Sequence, residues 1–231
     1  MAAKRFFIAG TDTGVGKTTV SCALLAAARA RGLSTLALKP VAAGCEQTPE
    51  GLRNDDALAL MAEMTLKLSY DEVNPVALPA PLSPHLAARL AGRRITIQQL
   101  AGYCRGALMQ KADFGLVEGA GGWRVPVSER ELLSELPKQL GLPVILVVGV
   151  RLGCLNHAIL TVEAIVKDGV RLAGWVANVI DPDMAAVEDN IETLRSMLSA
   201  PCLGVLPWAP GRVASEMASA LDISPLLPPP S

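Results

Sequence analysis

In the stretch "FIAGTDTGVGKTTV", residues 7–20, an apolar run gives way to glycines at 10, 14 and 16 and closes on Gly16-Lys17-Thr18. The chemistry this order suits is phosphate binding. Backbone N–H groups of a glycine-rich turn surround phosphate oxygens, and the helix N-terminus behind them presents roughly half a positive charge. Lys17 would then reach the β- and γ-phosphates of a nucleotide, and the Thr18 hydroxyl would ligate Mg²⁺. An ordinary glycine turn between a strand and a helix would not require Gly-Lys-Thr at the helix start.

The strict spacing G-x-x-x-x-G-K-[ST] asks for glycine at 11, where this chain has Thr11, with Gly10 before it and Gly14 inside the loop. The stretch therefore reads as a variant Walker A loop, of the kind found in a branch of nucleotide-binding proteins that includes ligases and partitioning ATPases. Further candidates stand where apolar runs end: Lys39 after residues 35–38, Glu118 after 114–117 and Asn178 after 173–177. An ammonium on rigid backbone, its exit direction set by Pro40, suits a transferring phosphoryl group or an anionic intermediate. A strand-end carboxylate at Glu118, followed by Gly119-Ala120-Gly121-Gly122, suits Mg²⁺ and a close backbone approach to a ligand. "LRNDDALAL" sets Asp55 and Asp56 in the first turn of a helix capped by Asn54, where acids also stabilise the helix dipole with no ligand present. Any one strand-end residue is equally a solvated end, but three of them beside one phosphate loop point to a site.

The elements that must position these residues follow from hydrophobic patterning. Apolar runs of strand length recur at 6–9, 35–38, 114–117, 144–148, 173–177 and 202–206, none alternating cleanly, as for strands covered on both faces. Helical segments lie between them. Residues 17–31 read as a helix ended by Gly32; "TIQQLAGYCRGALMQ" puts Ile97, Leu100, Ala101, Cys104 and Leu108 on one face, with Thr96 as N-cap; "MAAVEDNIETLRSMLS", from Met184, is similar. Alternating strands and helices predict a doubly wound α/β fold, mainly parallel and P-loop NTPase-like, whose ligands bind beyond the carboxyl ends of the strands. "NPVALPAPLSPH", residues 74–85, has too many prolines for helix or central strand and reads as an ordered surface loop. The end, from about 224, reads as a frayed tail.

A chain of 231 residues, 51% apolar and 19% charged, holds one substantial core, so 1–231 is expected to be a single domain. Net charge −1, no basic run beyond Arg93-Arg94 and 3% aromatics argue against a nucleic-acid surface. Five cysteines without a C-x-x-C suggest reduced thiols in a cytoplasmic protein, and two histidines in all argue against zinc at Cys154 and His157. "MAAKRFF" is too short for a signal peptide, and the apolar stretch 144–150 is far shorter than a membrane span.

Together "GTDTGVGKT", "KPVAAG", "EGLRNDDALAL", "NPVALPAPLSPH", "VEGAGGWRVP", "PVILVVGVRLGCLNHAILT" and "LAGWVAN" resemble the dethiobiotin synthetases, ligases of the biotin pathway, from Phe6 to about Trp208. The resemblance implies closure of a cyclic urea from 7,8-diaminononanoate, CO₂ and ATP, through a carbamate and a mixed carbamic-phosphoric anhydride. It assigns catalysis to Lys39 and Lys17, and metal ligation to Thr18, Asp56 and Glu118. Nucleotide contacts fall to Thr13, Gly14, Val15, Gly16, Lys17, Thr18, Thr19, Asp56, Glu118, Gly119, Ala120 and Gly121. Asn178 would hydrogen-bond the adenine, with Pro207, Trp208 and Ala209 near the base. Thr13, Lys39 and Ala43 would meet the diamine, and Gly153, Cys154, Leu155 and Asn156 would open a helix whose N–H groups hold its carboxylate across a homodimer. Two departures stand out. Ala43 replaces a small hydroxyl residue common in the family, and the sequence after Trp208 follows it only loosely, so no acidic adenine contact carries over from there. A ParA/MinD-like nucleotide switch is the alternative, but such proteins usually carry a signature lysine where this chain has Asp12. A corrin amidase would need a glutaminase domain, for which the chain is too short.

Overall fold

The computed structural model describes residues 3–211 and 213–227. In chain order its elements are β1 (Lys4–Gly10), α1 (Lys17–Ala30), β2 (Thr35–Leu38), β3 (Val41–Ala43), β4 (Glu46–Thr48), β5 (Gly51–Arg53), α2 (Asp55–Glu63), α3 (Tyr70–Val73), β6 (Val76–Leu78) and α4 (Pro84–Leu90). They continue with α5 (Ile97–Leu108), β7 (Phe114–Glu118), α6 (Glu135–Leu140), β8 (Val144–Val150), α7 (Cys154–Lys167), β9 (Leu172–Val179), α8 (Val187–Met197), β10 (Cys202–Leu206) and α9 (Ala214–Ala218).

The six apolar runs form one six-stranded sheet, in the order β10-β9-β8-β1-β7-β2, every pairing parallel. Successive side chains of a strand point to opposite faces, and β1 shows the result. Phe6 and Ile8 pack with Val20, Leu24 and Leu25 of α1, whereas Phe7 and Ala9 pack in the opposite layer with Leu100 of α5 and Ala158 of α7. Both faces are covered, so the strands carry no polar alternation. From β1 the chain builds β2 and β7 on one side, then crosses to β8, β9 and β10 on the other. The carboxyl end of β1 is thus the point where the winding reverses, the crevice in which open α/β sheets bind ligands.

Three expectations change. The 74–85 segment is not a surface loop: Val76 and Leu78 are fully buried in β6, which pairs in parallel with β3, and α4 opens at Pro84. Pro75 and Pro79 bracket a proline-free triplet that tertiary burial extends, and a proline in the first turn of a helix removes an N–H that has no helical partner anyway. The helix expected from Met184 begins at Val187, after Ala186 at φ 55. The tail does not fray at 224, because Ser224–Leu226 forms a 3₁₀ turn with Leu226 buried; residues 228–231 lie outside the described ones.

Candidate active site

The loop after β1 shows why Thr11 is tolerated. Among the described residues Ala186 alone is a non-glycine at positive φ, so position 11 does not need glycine. Thr11 N–H donates to the Val147 carbonyl at 3.0 Å and its hydroxyl accepts from Gly149 N–H at 3.4 Å, tying the loop to β8. Gly10 carries the close approach instead: a Cβ there would lie 2.8 Å from Val15 Cγ2 and 2.9 Å from the Asp12 carbonyl oxygen. Gly16 combines φ 82 with a position where a Cβ would collide with the Asn178 amide nitrogen. That nitrogen donates to the Val15 carbonyl at 2.9 Å, so the end of β9 braces the loop.

Lys17 opens α1 and is buried, its Nζ donating to the Gly121 carbonyl at 2.7 Å and the Asp12 carbonyl at 3.3 Å. Burial pushes its pKa down to about 8, helped by the nearby Lys39 ammonium and opposed by Glu118, Asp56 and Asp12. The structure brings the three strand-end residues to this loop. Lys39 Nζ donates to Asp56 Oδ2 at 2.7 Å and to Glu118 Oε1 at 2.6 Å. Burial pulls the Lys39 pKa down, but the two carboxylates outweigh it and hold the ammonium above its ordinary value. Burial likewise raises Asp56, and the charge and hydrogen bond of Lys39 reverse that and keep it below the usual carboxylate range. Glu118 is fully buried: Oε1 also accepts from the Thr18 hydroxyl and Oε2 from the Ser21 hydroxyl, each at 2.7 Å. Asp56 is the carboxylate that opens outward, its side chain 46% exposed.

Lys39 and Asp56 are aligned from behind by a buried network. Asn74 Nδ2 donates to the Lys39 carbonyl at 2.6 Å, the Tyr70 hydroxyl donates to Asn74 Oδ1 at 2.9 Å, and Asn54 N–H donates to the Tyr70 oxygen at 2.7 Å. Asn54 in turn caps α2 by accepting from Ala57 N–H, which sets the first-turn position of Asp56. Asn74→Ala would leave the Lys39 carbonyl and the Tyr70 hydroxyl without their partner. A stability loss of about 2–4 kcal/mol is expected by urea unfolding, with a fall in turnover even where the variant is folded. Unfolding within error of the parent would show that the network does not hold the site.

A cavity of about 830 Å³ extends from the loop, lined by Thr13, Gly14, Gly16, Lys17, Thr18 and Thr19, by Lys39 and Ala43, and by Asp56, Ala120 and Gly121. Val15, Glu118 and Gly119 lie behind this lining. Pro207, Trp208 and Ala209 follow β10, whose last residue Leu206 is registered with Asn178. Gly153, Cys154, Leu155 and Asn156 are not on the wall: they form the start of α7, with Gly153 at φ 93, no side-chain cap, and Leu152 90% exposed beside it. Arg151 does reach the loop, pairing with Asp12 at 2.7 Å.

Sequence reasoning missed the rest of the wall, Ala42, Asn54, Pro81, Leu82, Ser83, Pro84, Arg124, Val125 and Pro126, and missed Ser21 behind Glu118. The signal for 81–84 was the density of prolines and serine, which marks an ordered loop without saying what it faces. Asp168 was also missed: it accepts from Trp123 Nε1 at 2.8 Å and pairs with Arg124 at 2.7 Å, fastening the glycine run to the end of α7.

The AAA domain family matches residues 4–215. The ATP-dependent dethiobiotin synthetase BioD of Cellvibrio japonicus is 59% identical over 227 residues, 98% of this chain and 99% of its own length. That of Pseudomonas paraeruginosa is 56% identical over 221 residues, 96% and 97% of the two chains. Among solved structures, the MinC:MinD cell division protein complex of Aquifex aeolicus superposes with a TM-score of 0.57 at 18% identity, covering 94% of this chain and 92% of that one. Cobyrinic acid a,c-diamide synthase of Mycobacterium smegmatis, with bound ADP and magnesium, gives a TM-score of 0.56 at 15% identity, covering 94% and 91%. At such identities these two establish a shared fold.

Proposed function

The chain belongs to the ATP-dependent dethiobiotin synthetase family, and from that premise we propose that it closes a cyclic urea on 7,8-diaminononanoate with CO₂, converting ATP to ADP and phosphate. It is an ATP-dependent ligase that forms carbon–nitrogen bonds in biotin biosynthesis. The MinD-like likeness is one of fold and does not favour a switch ATPase. The whole chain is read as one ligase domain.

The reaction divides into three steps. One amine of the diamine adds to CO₂ and loses a proton, giving a carbamate. A carbamate oxygen attacks the γ-phosphorus, ADP leaves, and a carbamic-phosphoric anhydride results. The second amine then attacks the carbonyl carbon, expels phosphate and loses a proton as the ring closes. The observation that carries this reading is the placement of two buried ammonium groups, Lys17 and Lys39, on one cavity beside a phosphate loop. Lys17 would follow the β- and γ-phosphates, and Lys39 would stabilise charge on the moving phosphoryl group and the carbamate. Thr13 and Ala43 would line the diamine, Ala43 through its backbone. Asn178, Pro207, Trp208 and Ala209 would surround the base.

The donors present suit Mg²⁺. Thr18, Asp56 and Glu118 offer one hydroxyl and two carboxylates, and no cage of three or more His, Cys, Asp or Glu occurs among the described residues. Mg²⁺ is held by few carboxylates and keeps phosphate and water oxygens for its other positions. When bound, the cation would neutralise phosphate charge. Glu118→Gln, which removes one negative charge, should raise the Mg²⁺ concentration for half-maximal rate several-fold. An unchanged Mg²⁺ dependence would take Glu118 out of the metal shell and leave it as the bracket for Thr18 and Lys39.

The start of α7 supports a homodimer in which Gly153, Cys154, Leu155 and Asn156 hold the diamine carboxylate of the partner subunit, since Gly153 leaves that helix end uncapped beside the exposed Leu152. A Lys17→Ala protein and an Asn156→Asp protein, each inactive alone, should then complement on subunit exchange. Random pairing gives up to about one quarter of parental activity. Exchange without recovery would count against the shared pocket. Cytoplasmic residence fits five free cysteines, and no helix among the described residues is long and apolar enough to cross a membrane. The reaction itself is tested by phosphate release that requires both diaminononanoate and bicarbonate; ATP turnover indifferent to the diamine would refute it.

A further inference from the structure

We infer that the cleft between α4 and the turn at 127–131 is a second binding site, for an amphipathic carboxylate: a carboxylate head on a short apolar body. The cleft encloses about 540 Å³. Four guanidinium groups line it, those of Arg89, Arg93, Arg94 and Arg130. Arg93 gives one N–H to the Ala77 carbonyl at 3.1 Å; among the described residues the side chains of Arg89, Arg94 and Arg130 have no hydrogen-bond or ion-pair partner. Two acids also line the cleft. Glu131 is held in place, Oε1 accepting from Ile97 N–H and Oε2 from the Ser128 hydroxyl; with Glu129 it offsets only part of the charge of the four guanidinium groups, and the cleft keeps a positive excess. The floor is apolar and belongs to the core: Ala88, Ile95 and Val127 are each no more than 2% exposed.

An excess of positive charge on a concave, low-dielectric surface focuses its field into the cleft. The guanidinium fork matches a carboxylate with two parallel hydrogen bonds. An inorganic anion would engage only the guanidinium heads, whereas an alkyl body also packs along the aliphatic stems of the lining arginines, above the closed floor, and gains by leaving water. Both features are used only by a ligand with a charged head and an apolar tail. The cleft adjoins the active-site cavity but shares no lining residue with it. Pro84 and Pro126 face the catalytic side, and His85 and Val127, their immediate neighbours, face this one. A ligand here would brace α4 and the 127–131 turn against each other, and with them two walls of the nucleotide and diamine cavity.

The test is calorimetric titration of the full chain with octanoate, inorganic phosphate and octanol, repeated in saturating ATP. Saturable one-to-one octanoate binding is expected, unchanged by ATP, with phosphate and octanol at least tenfold weaker, about the loss of one charge-assisted contact. The double variant Arg94→Gln, Arg130→Gln should weaken octanoate by at least about tenfold at an unaltered Tm. Should its Tm move, Arg94→Lys with Arg130→Lys keeps the charges, removes the forks and should still weaken binding. The proposal is overturned by absence of saturable binding, by displacement with ATP, by phosphate binding as tightly as octanoate, or by folded variants that bind like the parent.

Discussion

Lys39→Ala is expected to lower kcat by roughly two to four orders of magnitude while ATP binding survives, the pattern for loss of a charge partner used in the transition state. Lys39 is 3% exposed and donates to two carboxylates, so its removal does more than delete a catalytic donor. It leaves Glu118, with no exposure at all, facing Asp56 without a cation between them. Removing one member of a buried ion pair destabilises by about 3–5 kcal/mol, because the remaining charge stays buried. Stability and catalysis therefore have to be separated. Adding Glu118→Gln to Lys39→Ala should restore much of the lost Tm, since the stranded charge is gone, and should restore none of the turnover. The measurements are phosphate release dependent on diamine and bicarbonate, an ATP isotherm, and a melting curve for each protein. Turnover of Lys39→Ala within about threefold of the parent would remove Lys39 from the mechanism, whatever the melting curve shows.

Lys17→Ala should instead strike nucleotide affinity, weakening ATP by about a hundredfold or more, in keeping with a buried, charge-assisted hydrogen-bond partner of phosphate. The Lys17 ammonium donates to the Gly121 and Asp12 carbonyls, bonds that phosphate oxygens would replace. The direction of its pKa makes a second readout. Burial and the Lys39 charge hold the free protein's Lys17 at about 8. Phosphate charge must raise it in the complex, so above that pH binding takes up a proton. Affinity for ATP should be insensitive to Lys17 below pH about 8 and fall as pH rises through it, by up to tenfold per unit until the complex itself deprotonates. Lys17→Ala should lack this fall. An isotherm series across that range decides the point: equal pH dependence in both proteins would show that Lys17 does not carry the phosphate contact.

Much of the loop side of the candidate site was legible because its signals are local. A strand buried on both faces must be apolar throughout, which marked all six strands of the main sheet, and a chain leaving such a strand at its carboxyl end presents its next residue to the ligand crevice. Lys39 lies on the cavity wall as that rule expects, whereas Glu118 and Asn178 stand behind the wall, one bonded to Thr18 and Lys39 and the other bracing the loop; Asn54 and Thr96 were found as caps because a cap bonds within three residues of itself. Proline arithmetic failed at 74–85 for the converse reason: pairing between Val41–Ala43 and Val76–Leu78 is decided by a partner far along the chain, and composition around 76 carries no trace of it.

The sequence by itself determined the fold class, the phosphate loop and the family to which the chain belongs, all of them matters of residue order along short segments. Tertiary structure alone decided how the charges meet. Lys39 and Glu118 share a hydrogen bond across 79 positions, Ser21 reaches Glu118 across 97, and Arg151 closes on Asp12 across 139. It also showed that Glu118 is enclosed while Asp56 opens outward, and that a second, arginine-lined cleft adjoins the first. A carboxylate's role depends on how much water and how many donors surround it, and those are set by the packing of separate elements rather than by its neighbours in the chain.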